Sequence, residues 1–115
     1  MKLSDAIREG AKLRPQCFDA FYQLVGKTIH SCVMGAAFEA AGFYNPEQLK
    51  MPCQLDDRAY LFDGIPEDWS TKAPKFDCPG ECEQKYAVPA LAAHLNDHHG
   101  WKRERIADYV EGFGY

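Results

Sequence analysis

The sequence predicts a mainly helical α+β fold in one small domain, with a short hairpin plus helix built into it. Three observations carry this. The chain has 115 residues, the length of one ordinary domain. Hydrophobic residues make up 46% and charged residues 26%, a globular composition. Several segments show helical spacing of apolar residues, and one stretch gathers Cys and His around a turn signal and a helix. The expected organisation is a single domain, 1–115: a helical body and irregular connection over 1–75, the hairpin-helix module over 76–98, and a C-terminal helix over 99–115.

Residues 3–13 read as a first helix, with Ser4 as N-cap and Leu3, Ile7 and Ala11 on one stripe. Arg14-Pro15 ends it. Residues 17–29 are rich in large apolar side chains and fit either a helix interrupted at Gly26 or two short strands. Residues 31–41 form the clearest helix, capped by Ser31 and stopped by Gly42. Its Gly35, Ala36 and Ala37 make a small-residue face that admits a close neighbour. Asn45-Pro46 reads as the cap and first residue of a short helix ending near Lys50. Prolines and glycines break up 51–75, which reads as a long packed connection with one helical turn over 56–62 and a few apolar anchors along it, Trp69 among them. Two helices close the chain, over 89–98 and 102–110, with His99-Gly100 between them.

The net charge of −4 argues against nucleic acid as the main partner. The N-terminal MKLSDAIREG has no apolar signal core, and no apolar run reaches the ~18 residues that span a bilayer. The expected setting is a reducing cytoplasm without membrane contact. There, five irregularly spaced cysteines mean metal ligands or buried thiols before disulfides.

The stretch FDCPGECEQKYAVPALAAHLNDH carries the strongest chemical signal. Pro79-Gly80 makes a tight turn that brings Cys78 and Cys82 to one side. His94 and His98 lie four apart on a helix, ~40° apart around its axis. Two thiolates and two imidazoles complete the tetrahedral N/S shell that zinc prefers. The apolar residues also fit, and the stretch resembles the two-Cys, two-His zinc finger family. Phe76 stands two before Cys78, and Glu83-Gln84-Lys85 separate Cys82 from Tyr86. Leu91, Ala92-Ala93, His94, Leu95-Asn96-Asp97 and His98 follow. The departure is the gap from Tyr86 to Leu91, where 87–90 supply one residue fewer than the family pattern. His99 competes for the fourth place, but on a continuous helix it points ~140° from His94.

The resemblance does not extend to DNA reading. The family's base-contacting positions fall on Ala87, Ala90 and Ala93, which cannot hydrogen-bond a base edge. Acidic residues outnumber basic ones over 75–98. The expected ion is therefore structural Zn2+, held by Cys78, Cys82, His94 and His98, with no open position for a catalytic water.

Lys102, Arg103 and Arg105 open the last helix, where positive charge opposes the helix dipole. They are candidate contacts for nucleic acid or an acidic partner, against the plainer reading of a solvated face. Gly26-Lys27-Thr28 is not a phosphate loop, because Phe21 stands where that motif needs Gly. Cys17, Cys32 and Cys53 read as core thiols, and Trp69 and Trp101 as core or interface anchors. SCVMGAAFEAAG, together with the HLND and IADYV segments, is similar to a set of small uncharacterised bacterial and phage proteins. That resemblance implies such an origin and brings no activity with it. The expected function is a small zinc-stabilised interaction or regulatory protein with a protein partner and no catalytic residues. The alternatives are a nucleic-acid binder using the C-terminal helix pair and a cysteine-dependent enzyme using Cys32 or Cys17.

Overall fold

Helix α1 spans Leu3–Ala11 and buries Leu3, Ala6, Ile7 and Gly10 along one stripe. The structure, a computed structural model, describes residues 1–51, 53–54, 67–69 and 75–115. Ser4 does not cap α1. Lys2 takes the N-cap position without a side-chain bond, and Ser4 lies buried in the first turn. Packing of the helix start against the core overrides the local capping preference.

Residues 17–29 resolve into strands. Strand β1 (Ala20–Val25) and β2 (Thr28–Ser31) pair antiparallel, with Val25 opposite Thr28. Gly26 at φ 61 and Lys27 form the two-residue turn, in which Gly supplies the positive φ that a tight hairpin needs. Strand β3 (Cys53–Gln54) pairs on the other side of β1, giving the order β2-β1-β3. The helical turn expected over 56–62 lies outside the described residues.

Helix α2 (Val33–Ala40) is capped by Cys32, whose Sγ accepts from the Gly35 N–H at 3.4 Å. Ser31 is not the cap, because its hydroxyl accepts from Arg103 at 2.8 Å. The small-residue face does admit close neighbours. A Cβ on Gly35 would stand 2.3 Å from the Phe21 carbonyl oxygen, and a Cβ on Gly10 would stand 2.0 Å from that of Ala36. Helices α1 and α2 therefore cross backbone to backbone. Asn45 caps a short 3-10 turn, Pro46–Gln48, by accepting from Glu47 N–H. A second 3-10 turn, Glu67–Trp69, sends the Trp69 ring into the core, where its Nε1 donates to the Met1 carbonyl.

Strands β4 (Phe76–Asp77) and β5 (Lys85–Tyr86) make the expected small hairpin, and α3 (Val88–Asp97) follows directly. Helix α4 (Arg103–Glu111) buries Ile106, Ala107 and Val110 against the body. Among the described residues, four helices and two small antiparallel sheets thus make a mainly helical α+β fold. Val88, Leu91 and Leu95 of α3 share one buried cluster with Leu3, Ile7, Phe21, Tyr22 and Phe38. The module is part of the common core.

Two polar anchors fix α3 and α4 to that core. Asn96 is fully buried, and its Oδ1 accepts from Gln16 Nε2 at 2.8 Å and Val33 N–H at 3.1 Å. Its Nδ2 donates to the Cys17 carbonyl and to Asp97. Arg8 of α1 pairs with Asp108, at 2.7 Å, and Glu111 of α4. None of the helices among the described residues is long and apolar enough to cross a membrane.

Candidate metal centre

Cys78 follows β4 and opens a turn closed by the Glu81 N–H donating to the Cys78 carbonyl at 3.2 Å. Glu81 takes φ 63, and the Gly80 N–H donates to Cys78 Sγ at 3.3 Å. The Pro79-Gly80 turn thus does what its sequence suggests: it folds Cys82 back beside Cys78 and leaves both sulfurs on one side. Helix α3 delivers His94 from its last turn. Leu91, Leu95 and Asn96 are buried in the body and fix the rotation of that helix.

The sulfur or nitrogen atoms of Cys78, Cys82, His94 and His99 lie within 4.8 Å of one another. His99 Nε2 is 3.2 Å from Cys78 Sγ, 3.4 Å from Cys82 Sγ and 3.1 Å from His94 Nε2. A ring nitrogen carries at most one proton, so it can donate only one of these three contacts. A tetrahedral ion with bonds of about 2.0–2.3 Å sets its ligands about 3.3–3.8 Å apart. The three edges at His99 fall within or just below that range, and all four ligand atoms lie within 4.8 Å of one another, so the residues are compatible with a four-coordinate metal.

The electrostatics follow from the crowding. Burial, then the nearby His99 and His98, hold the His94 imidazole below its ordinary pKa, which favours the neutral form that binds metal. Desolvation and the neighbouring Cys78 raise the Cys82 thiol. A bound cation would reverse that shift by stabilising the thiolate. Tyr86 stacks on His94, with centroids 4.5 Å apart and planes 21° apart, and holds the ring in orientation. A Cβ at position 80 would meet the His99 ring, so Gly80 makes room for that ring.

Of the four ligands expected from sequence, Cys78, Cys82 and His94 come together and His98 stands outside the set. Helix α3 ends at Asp97, with His98 as its C-cap. Gly100 at φ 65 then turns the chain, so the ~140° separation of His99 from His94 on a continuous helix does not apply. His98 is exposed and stacks on the outer side of His94, with centroids 5.0 Å apart. Gly100 directly after the two histidines is the signal that favours His99, because a left-handed Gly marks the end of a helix.

The basic cluster divides. Arg103 is buried and is no surface contact: it donates to the Ser31 carbonyl and hydroxyl and to the Arg14 and Ala11 carbonyls. It caps the C-terminal end of α1, where positive charge suits the dipole, although it opens α4, where it does not. Lys102 and Arg105 remain exposed, and Arg105 lies over the Trp101 ring at 3.7 Å. Cys17 and Cys32 are buried, as expected of core thiols.

Fold and cluster together define a class: a small α+β domain with a two-cysteine, two-histidine site of metal-binding geometry. Comparison with family models, with curated proteins and with solved structures found no match, and none supports the likeness to bacterial and phage proteins.

Proposed function

We propose that this chain is a zinc-stapled interaction domain: Cys78, Cys82, His94 and His99 hold one structural Zn2+, and the domain it stabilises binds a protein partner. The observation that carries the metal reading is His99 Nε2, with two sulfurs and a second imidazole nitrogen within 3.4 Å. Zinc is the ion that a mixed thiolate and imidazole shell suits best. Four protein ligands fill a tetrahedral shell, which favours a structural role.

A partner is expected where the staple meets the body. Pro79, on the metal-binding turn, lines a shallow groove with Trp101, Arg105, Asp108 and Tyr109. Trp, Tyr and Arg are the side chains that most often dominate protein interfaces. Metal loss would release Pro79 and remove one wall of that groove. The burial of Arg103 weakens the nucleic-acid reading, since it takes one of three charges from the proposed contact. The burial of Cys17 and Cys32 likewise speaks against a nucleophilic cysteine there.

Elemental mass spectrometry on the purified protein, with thermal unfolding before and after chelation, tests the metal reading. The expected result is one zinc per chain and a lower Tm after chelation. A metal-free protein indifferent to chelator and to added zinc would end this reading.

A further inference from the structure

Cys78 and Cys82 are a sulfur pair as well as half of a ligand set. Their Sγ atoms lie within 4.8 Å of each other and share one neighbour, His99 Nε2, at 3.2 and 3.4 Å. The Glu81 N–H bond to the Cys78 carbonyl closes the turn between them, so the backbone already brings the two residues together. A disulfide sets its sulfurs about 2.05 Å apart, so the pair closes by a shift of less than about 3 Å. The two sulfurs differ in access. Of Cys17, Cys32, Cys78 and Cys82, only the last is partly open to solvent, so among these four a reagent in water meets Cys82 first. The Gly80 N–H also donates to Cys78 Sγ, which draws charge from that sulfur and leaves Cys82 the better nucleophile.

We propose that Cys78 and Cys82 are a redox switch on metal binding: hydrogen peroxide oxidises them to a disulfide, with Cys82 reacting first and Cys78 closing the bond, and the site then releases its ion. This rests on the reading that the cluster holds zinc. In the first step the Cys82 thiolate attacks one peroxide oxygen. The O–O bond breaks, a sulfenic acid forms on Cys82, and the hydroxide that leaves takes a proton from solvent. In the second step the Cys78 thiolate attacks the Cys82 sulfur. The S–O bond breaks, the S–S bond forms, and a second hydroxide leaves and is protonated. The two sulfurs thus give up two electrons, the peroxide takes them, and two protons from solvent complete two waters. His94 and His99 remain, and two neutral imidazoles without thiolate are half of a tetrahedral shell.

The test is hydrogen peroxide added to the zinc-loaded full-length protein, with a chromophoric chelator to read released metal and peptide mass mapping to read the sulfurs. The expected result is loss of one zinc per chain together with two thiols, a Cys78–Cys82 disulfide in the map, and zinc binding restored by a dithiol reductant. A cyclic diketone present during oxidation should trap the sulfenic acid on Cys82. Zinc that stays bound with both thiols intact overturns the proposal. So does zinc release in which Cys78 and Cys82 reach sulfinic acids with no disulfide between them. A diketone adduct on Cys78 alone overturns the order of the two steps. A protein that holds no zinc and takes up none removes the zinc reading instead, and its disulfide map still decides the sulfur chemistry.

Discussion

His99 occupies the space that a side chain on Gly80 would fill: a Cβ there would lie 2.5 Å from His99 Cε1 and 2.8 Å from its Nε2. The turn that carries Cys78 and Cys82 and the His99 ring are therefore shaped to each other. Gly80→Ala should push His99 out of position and weaken zinc binding by about 10–100-fold, as loss of a supporting contact does. Gly80 itself is exposed, so the metal-free fold should be nearly unaffected. Chelator competition gives the first quantity and urea unfolding of the metal-free protein the second. Unchanged affinity would mean that His99 is not a ligand.

Arg103 and Arg105 lie two positions apart and should behave oppositely. Arg103→Ala removes the donor to four oxygens around the end of α1. An orphaned buried acceptor costs about 1–3 kcal/mol, so a loss of at least that size is expected. Arg105→Ala removes an exposed stack on Trp101 and should cost about 0.5–1 kcal/mol. Denaturant unfolding of the two variants under one condition compares them directly. Equal effects would contradict the buried role of Arg103.

Asn96 joins three segments through four hydrogen bonds. Asn96→Leu keeps much of the volume but leaves the Val33 N–H and the Cys17 carbonyl without this partner. A destabilisation of about 2–4 kcal/mol is expected from the loss of these two buried bonds. Zinc affinity should fall as well, because the rotation of α3 that aims His94 depends on this anchor. Stability and affinity that part company would show that the anchor does not orient the site.

The acid sensitivity of the domain follows from His94. Its folded-state pKa lies below the ordinary 6.5, so the unfolded chain takes up the proton first. Stability of the metal-free protein should therefore be greatest above about pH 6.5 and fall as pH drops through that value toward the folded one. Metal retention should fall in the same direction, since protons compete for imidazole and thiolate. Glu111, held below its ordinary range by its hydrogen bond to Arg8, adds a second loss in the carboxylate range. Thermal unfolding and zinc retention across about pH 5–8 would show both trends. A flat profile over that range would contradict the shift assigned to His94.

Much of the site was readable from residue order. Cys78, Cys82 and His94 follow from a Pro-Gly turn, a helical period and flanking apolar residues, all of them local signals. His99 was not readable in the same way, because its position depends on where α3 stops, and that is set by Gly100 and by packing of Asn96. The capping roles of Ser4 and Ser31 failed for a related reason. Both are good local caps, but both are buried, and Ser31 gives its hydroxyl to a residue 72 positions away. Arg103 reads from sequence as a surface charge, since nothing local reveals the helix end it serves. The strands over 20–31 turned on Gly26-Lys27, a two-residue turn that periodicity alone did not distinguish from a break in a helix.

The pairing of Arg8 with Asp108 spans 100 positions, and it joins α1 to α4. A chain made from its N-terminus therefore produces α1 and its neighbour α2 long before α4, which completes the cover. Leu3, Ile7 and their neighbours stay without their final cover until α4 has left the ribosome. A nascent chain stalled before α4 emerges would present the side of α1 that α4 covers to whatever holdase is near.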